Sequence, residues 1–383
     1  MNTTNQKKRK LFSGGAAPEI LSSVIAILFG LFIGFIILLI SNPGQAVGGF
    51  TAILTGAFSD RKSMGQVLYF ATPIILTGLS VGFANKTGLF NIGASGQFIF
   101  GAYAAIYVGV HWTFLPAPLH CLAALIASML AGALWGAIPG LLKAYRNVNE
   151  VISCIMTNYI GMYLVNYLIT KTVFDSLKNQ SKRVASSAVI PKFGLDLIFR
   201  DGNNVSSANG GILIAILVGI IIYVILEKTK FGYEQKACGL NRDAAFYAGI
   251  NEKRSIILSM VIAGALAGLG GALLYLAGSG KGIDVLDVLA AEGFNGIPVA
   301  LLGLNNPIGI IFSGLFIAYL NQGGFTMQLF DYPPQVIEII IAVIIYSSAF
   351  SLLVKNVLKS MAKRRNQPPN DPAAVTGGEG GAQ

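Results

Sequence analysis

The sequence predicts an all-α, polytopic membrane protein of about ten transmembrane helices, some of them broken or re-entrant. Of its 383 residues, 54% are hydrophobic and only 11% are charged, whereas a soluble protein has about 25% charged residues. The mean hydropathy is +0.66, and apolar runs near the length that crosses a bilayer, about 20 residues, recur along the chain. A soluble protein of this composition would expose large apolar patches, so we exclude that class.

The first apolar run covers residues 20–40 and follows the basic stretch KKRK at 7–10. It is longer than the apolar core of a signal peptide, and no convincing small-residue cleavage site follows it. We therefore interpret it as an uncleaved first helix.

Nine further runs predict the other spans. They lie at about 66–84, 90–110, 119–142, 150–170, 212–226, 255–277, 286–304, 307–321 and 335–354. Spans eight and nine are separated only by Asn305-Asn306-Pro307, and proline interrupts a helix because it lacks an N–H donor. One broken segment there would leave eight or nine spans. In span four, Gly132, Gly136 and Gly140 form a GxxxGxxxG pattern that predicts close helix packing.

The basic residues predict the orientation. Most of the 27 lysines and arginines fall on one side of the ten spans, and the side rich in these residues is cytoplasmic. We expect a basic cytoplasmic N-terminal tail (1–19), a transmembrane domain (20–354) and a basic, disordered C-terminal tail (355–383), so both termini are cytoplasmic. A long outer loop covers 171–211 and a long cytoplasmic loop covers 227–254.

Several kinds of chemistry are excluded by the residues present. Two histidines and three cysteines, without a CxxC pair, do not form a zinc or disulfide framework. The stretch LAGSGKG resembles a phosphate-binding loop, but that motif needs Gly at 275 and Ser or Thr at 282. The chain has Tyr275 and Gly282 there. We therefore predict no ATPase site, no catalytic residues and no metal site.

A polar segment, NKTGLFNIGASGQ, occupies residues 85–97 where span three begins. Irregular polar backbone at membrane depth occurs only where it is buried in protein or lines a watery cavity. A later segment, GFNGIPVALLG at 293–303, repeats its Gly–Phe–Asn theme, and paired glycine-interrupted segments mark transporter sites. With a polar residue of span five, the predicted substrate pathway consists of Phe90, Asn91, Gln97, Asn158, Phe294 and Asn295. The alternative is that these residues only hydrogen-bond helices to one another.

The cytoplasmic loop contains a second signal, EQKACGLNRDAAFYAGIN at 234–251. It predicts a short helix, for which Asn241 or Asp243 is a suitable N-cap. Its apolar residues have no lipid to enter, so they fit the groove of a protein partner, or alternatively the chain's own bundle. The predicted contact residues are Gly239, Leu240, Asn241, Ala244, Ala245, Tyr247, Ala248, Gly249 and Ile250.

Four motifs, GLFNIGASGQFIFGA, NEVISCIMTNYIGMYL, GLNRDAAFYAGIN and ALLGLNNPIGI, occur in this order between about residues 66 and 321. Together they resemble the permease subunits of bacterial ABC importers, in the nucleoside and simple-sugar branch. NIGASGQ and NEVI resemble the nucleoside permeases more than the ribose permeases. Glutamate is often seen where this chain has Ser95, so a carboxylate contact with substrate is not expected there.

The resemblance implies a multi-pass subunit of the bacterial plasma membrane that imports nucleosides, or alternatively a simple sugar such as ribose or galactose. It also implies three partners: a second, non-identical permease, an ATPase with two nucleotide-binding domains, and an extracytoplasmic binding lipoprotein. ATP and Mg would be held by the ATPase, and this chain would bind no cofactor. Residues 239–250 would form the coupling helix that docks on the ATPase.

A stand-alone ion-coupled carrier is the rival class of function. It would need a buried titratable group near the middle of the membrane. The candidates, Glu292 and Glu338, fall near predicted span ends.

Overall fold

The computed structural model describes residues 17–202 and 204–349, and it confirms the all-α architecture. Residues 355–383 of the predicted C-terminal tail, and most of the predicted N-terminal tail, lie outside the described residues. Among the described residues, six helices are long and apolar enough to cross a membrane.

The helices, in chain order, are α1 (Ala17–Ser41), α2 (Ala46–Thr55), α3 (Arg61–Lys86), α4 (Ala94–His111), α5 (Ala117–Arg146), α6 (Glu150–Thr172), α7 (Leu195–Ile198), α8 (Gly211–Lys228), α9 (Lys230–Leu240), α10 (Arg242–Tyr247), α11 (Glu252–Tyr275), α12 (Ala291–Phe294), α13 (Gly296–Leu302), α14 (Pro307–Met327) and α15 (Pro334–Ala349). Short 3-10 turns lie at Gly56–Phe58, Ser186–Ala188 and Gln328–Phe330.

The predicted span at 286–304 is wrong as a single membrane helix. This region forms two short helices, α12 and α13, which meet at Asn295. Glycines let this segment lie directly on other backbone: a Cβ atom on Gly293 would be 2.7 Å from Ser95 N, and one on Gly296 would be 2.8 Å from Gly78 N. Such close approach favours short, interrupted pieces over one continuous helix.

Helix α2 was not predicted. It has 10 residues, too few to cross a bilayer. It packs against α14 and the segment that follows it, where a Cβ atom on Gly49 would be 2.6 Å from the Tyr332 ring. The packing explains why a short apolar stretch is ordered as a helix between two longer ones.

The core of the bundle is built on α11, which packs on α3, α4 and α5. Its Gly264 and Gly268 face the GxxxGxxxG stripe of α5. A Cβ atom on Gly136 would be 3.1 Å from Gly264 Cα, and one on Gly268 would be 3.1 Å from Gly132 Cα. The predicted close packing by small residues is therefore confirmed.

The predicted outer loop begins within α6 and ends where α8 begins. Two small antiparallel hairpins lie in it, β1 (Phe174–Asp175) with β2 (Gln180–Ser181) and β3 (Arg200–Asp201) with β4 (Asn204–Val205). The loop is tied to the bundle by His120, whose ring nitrogens lie 2.8 Å from Ser187 Oγ and 2.9 Å from Val108 O. This end of the bundle is thus covered by ordered polypeptide.

Candidate functional site

The first predicted pathway segment forms the turn between α3 and α4. Asn91 and Gln97 face each other across this turn and are both buried. Asn91 Nδ2 donates to Gln97 Oε1 at 2.8 Å and to Ser80 Oγ at 3.1 Å, and Gln97 Nε2 donates back to Asn91 Oδ1 at 3.1 Å. The reciprocal amide pair holds the irregular turn against α3 and the first turn of α4.

Asn158 reaches the same turn from α6. Its Oδ1 accepts from the Gly96 N–H at 2.8 Å, and its Nδ2 donates to Ile92 O at 3.0 Å. Gly96 lies in the first turn of α4, where the N–H groups have no partner within the helix. The N-cap residue, Gly93, has no capping side chain, so Asn158 caps α4 from a neighbouring helix.

The two glycine-interrupted segments, 85–97 and 293–303, lie against each other. In the sequence they are related only by their shared Gly–Phe–Asn pattern. Ser95 Oγ donates to Ala290 O at 2.8 Å, and a Cβ atom on Gly293 would be 3.0 Å from Ala94 C. Helix α12, which contains Phe294, packs on α4. Phe90, Phe294 and Asn295 are half-buried.

This cluster consists of amide and hydroxyl side chains, which form hydrogen bonds and are not suited to acid–base or metal chemistry. The described part of the chain contains no group of three His, Cys, Asp or Glu side chains that could hold a metal ion. The side-chain amides of Asn91, Gln97 and Asn158 bond to one another, to Ser80 or to backbone, as the interhelical alternative requires. A pathway-lining role for the six residues stays a prediction.

The short helix predicted within residues 234–251 is confirmed as α10. Asn241, and not Asp243, is its cap: Asn241 Oδ1 accepts from the Ala244 N–H at 3.0 Å. Leu240 is 89% exposed and Tyr247 is 88% exposed, whereas Ala245 is buried against the chain itself. The short helix and Leu240, which precedes its cap, therefore present apolar side chains outward.

Phe246 belongs to the same exposed surface and was missed from the sequence. Its neighbours Ala245 and Tyr247 were included, because the pattern identified a helix without deciding which side faces the bundle. Gly239 and Ile250 are partly exposed. The other predicted contact residues of this segment are exposed: Asn241, Ala244, Ala248 and Gly249.

Helix α9 connects this surface to the α3–α4 turn. A Cβ atom on Gly239 would be 2.9 Å from Gly88 N, and one on Gly88 would be 3.0 Å from Gly239 Cα. Gly88 also has φ +71, a left-handed conformation that favours glycine. The backbone before α10 thus touches the backbone that leads into the polar turn.

Comparison with known proteins identifies one family of transport permeases. Residues 63–349 match the family described as "Branched-chain amino acid transport system / permease component". The chain is 37% identical to the guanosine ABC transporter permease protein NupP of Bacillus subtilis, over 90% of this chain and 97% of that protein. It is also 37% identical to the nucleoside ABC transporter permease protein NupB of Lactococcus lactis, over 89% of this chain and 93% of that protein.

A third relative is the glucose ABC transporter permease protein TsgB13 of Haloferax volcanii, at 33% identity over 93% of each chain. No solved structure matches the chain. The family match covers most of the sequence, and six helices of the described residues are long and apolar enough to cross a membrane. The chain therefore belongs to this permease family, and it is a multi-pass membrane component of an ABC transport system.

Proposed function

We propose that the chain is a permease subunit of an ATP-driven importer that carries nucleosides across a bacterial cell membrane. The observation that carries the proposal is the 37% identity, over about nine-tenths of the chain, to two permeases that are named for guanosine and for nucleosides. The motifs NIGASGQ and NEVI, at 91–97 and 149–152, support the same branch.

The energy source in this proposal is a separate ATPase with two nucleotide-binding domains. ATP and Mg are bound there, and this chain supplies the docking helix α10. The exposed Leu240, Phe246 and Tyr247 suit a groove on a protein partner, because exposed apolar side chains on a cytoplasmic loop gain from being covered.

Helix α9 links α10 to the polar turn between α3 and α4, so a displacement of α10 would move that turn. Gly239 contacts Gly88, and the turn after Gly88 contains the Asn91–Gln97 pair and the cap that Asn158 provides. A shift of the docking helix therefore bears on the packing of α3, α4 and α6. Two packings close in energy, each favoured by a different nucleotide state, would give alternating access.

Two further partners complete the proposed importer. A second, non-identical permease forms the other half of the membrane unit. A binding lipoprotein delivers substrate to the outer loop (171–211). Within this unit, Phe90 and Phe294 are proposed to stack on the base, and Asn91, Gln97, Asn158 and Asn295 to lie near polar edges of the substrate.

A sugar is the second candidate substrate, and the 33% identity to a glucose permease favours it specifically. The rival ion-coupled carrier gains no support from its candidate groups. Glu292 pairs with Lys281 at 3.1 Å in a partly exposed position, and Glu338 is exposed, whereas a carrier needs a buried ion-binding group.

Uptake of radiolabelled guanosine and uridine, in cells with and without the gene, tests the proposal. Unlabelled ribose and leucine serve as competitors. We expect nucleoside uptake to be lost with the gene and to resist both competitors. Unchanged nucleoside uptake in cells without a redundant system would refute nucleosides as the substrate, and competition by a sugar would favour the second candidate.

A further inference from the structure

Helix α6 has two chemically different faces. The face toward the bundle contains Asn158 and packs on α4 and α5. The opposite face is open and contains Tyr159, Tyr163 and Tyr167, which are 49%, 56% and 60% exposed; exposed aliphatic or Met side chains lie beside them at positions 152, 156 and 160. Side chains four residues apart lie on one side of a helix, so the three rings form a single stripe, called here the tyrosine stripe.

The depth of the tyrosine stripe argues against lipid as its environment. α6 has 23 residues, and at about 1.5 Å per residue Tyr159 and Tyr163 each lie about 3 Å from its middle. Tyrosine is favoured at the membrane–water interface, but a hydroxyl in the hydrocarbon interior has no water to bond. Two of the three rings are therefore at the wrong depth for an interfacial belt.

Two other membrane-spanning helices, α5 and α8, provide a comparison for the outward surface of α6. The exposed large side chains of α8 are all aliphatic: Leu213, Leu217, Ile220, Ile221 and Val224. Those along the middle of α5 are likewise aliphatic or Met: Ile126, Met129, Leu130, Leu134 and Ile138. The tyrosine stripe differs from both surfaces in having a hydroxyl on every ring.

The stripe continues into polar structure at its C-terminal end. Lys171 Nζ lies 5.8 Å from the centroid of the Tyr167 ring. Asn166 Nδ2 donates to Leu286 O at 2.9 Å and to Asp287 Oδ1 at 3.2 Å. A hydrophilic solute arriving from this end would thus meet a cation, a carboxylate and then a row of aromatic rings.

We propose that the tyrosine stripe lines the aqueous translocation pathway and that its rings stack on the base of the permeating nucleoside. The substrate class rests on the proposed function. Four residues of helix advance about 6 Å, so a base leaving one ring can reach the next, and aromatic rings stack on any base without sequence preference. The hydroxyls hydrogen-bond to water or to polar edges of the base. This pathway runs along the face of α6 opposite Asn158, so in this proposal Asn158 caps α4 and does not line the pathway. One chain supplies one wall of the pathway, and the second permease supplies the other.

The first test measures water access in the assembled importer, reconstituted in liposomes. Cys121, Cys154 and Cys238 are all buried, and a chain in which they are replaced by alanine provides the background, once its uptake is shown to match the parent. Tyr163→Cys is compared with the matched control Leu217→Cys on α8, using a charged, membrane-impermeant methanethiosulfonate. We expect the thiol at 163 to react at least ten times faster than the thiol at 217. Equal rates would overturn an aqueous pathway along this face, because lipid or a tight protein interface would then cover it.

The second test adds substrate. Guanosine at saturating concentration should slow the reaction of Tyr163→Cys at least five-fold and leave the Leu217→Cys control unchanged. Tyr163→Phe should keep the KM for guanosine within two-fold, whereas Tyr163→Leu should raise it at least ten-fold, because only the first keeps a ring that stacks. No protection, or equal KM values for the two variants, would overturn stacking on the stripe.

The experiments distinguish refutation of the proposed function from refutation of the pathway along the tyrosine stripe. A parent importer that takes up glucose and not guanosine would refute the nucleoside substrate, and the stacking step with it. The reactivity ratio of Tyr163→Cys to Leu217→Cys needs no substrate, so it would still decide whether the stripe faces water.

Discussion

Replacing Asn158 separates a structural role from a substrate-contacting role. Asn158→Leu removes the acceptor of the Gly96 N–H and the donor to Ile92 O, which lie at 2.8 and 3.0 Å. Asn158 is only 1% exposed, so water does not reach the two backbone groups once the larger apolar side chain is present. The groups are left buried without partners.

The expected loss follows from these two groups. Leaving one buried donor or acceptor unpaired costs about 1–3 kcal/mol, so the pair predicts a destabilisation of about 2–6 kcal/mol. Asn158→Ala should cost less, since the smaller side chain leaves room for a water that bonds both groups. The order of stability is therefore expected to be wild type, then alanine, then leucine.

The assay is thermal unfolding of the purified chain in detergent, measured beside nucleoside uptake by the same variants. We expect the midpoint for Asn158→Leu to fall by at least about 4 °C, given a shift of about 2–4 °C per kcal/mol. Ile160→Ala, an exposed position on the same helix, is the control and should change it little. If Asn158→Leu kept its midpoint and lost only uptake, the capping argument would be refuted and the pathway prediction favoured.

Three other changes test separate parts of the molecule. Asn241→Ala should cost α10 about 1 kcal/mol by removing its cap, which predicts about five-fold weaker binding of the ATPase by titration, whereas Asn241→Ser should bind normally. Gly264→Ala should lower the unfolding midpoint by the equivalent of about 1–3 kcal/mol through overpacking against α5, and a wild-type midpoint would show that the two helices can separate freely. Gln235 is 1% exposed, and neither atom of its amide has a hydrogen-bond partner among the residues that the structure describes. Gln235→Met should therefore stabilise the chain by about 1–3 kcal/mol, and a lower midpoint would mean that the amide finds a partner in the purified protein.

The sequence predicted those features that depend on local pattern. The spacing of glycines at 132, 136 and 140 indicated close packing, and α5 does lie against α11 through them. Asn241 was one of two expected caps for a short helix, and it is the one whose side chain accepts from the first turn. In both cases a few neighbouring residues suffice, because the interaction is set by helix geometry.

The features that escaped prediction depend on residues far apart in the chain. Residues 286–304 are apolar enough for a span, but the glycines at 293 and 296 pack on backbone about 200 residues earlier. The partner of Asn158, the first turn of α4, is 62 residues away. The outward tyrosines do have a sequence signal, a spacing of four within span five. That spacing is also compatible with burial, and only the packing of α6 decides which face is open.

The placement of glycine separates a stiff part of this bundle from a part suited to transmit motion. Gly132, Gly136, Gly264 and Gly268 lock α5 to α11 along several turns, and backbone in contact with backbone leaves little room to slide. Gly239, by contrast, lies against the backbone of Lys86, Thr87 and Gly88 at one end of the bundle. Under the proposed function this contact joins the docking helix, through α9, to the polar turn. A force on α10 is therefore expected to act on the start of α4 and its cap from α6, while α5 and α11 stay together. Because the tyrosine stripe lies on α6, the helix that provides the cap, a shift of that cap would also reorient the stripe.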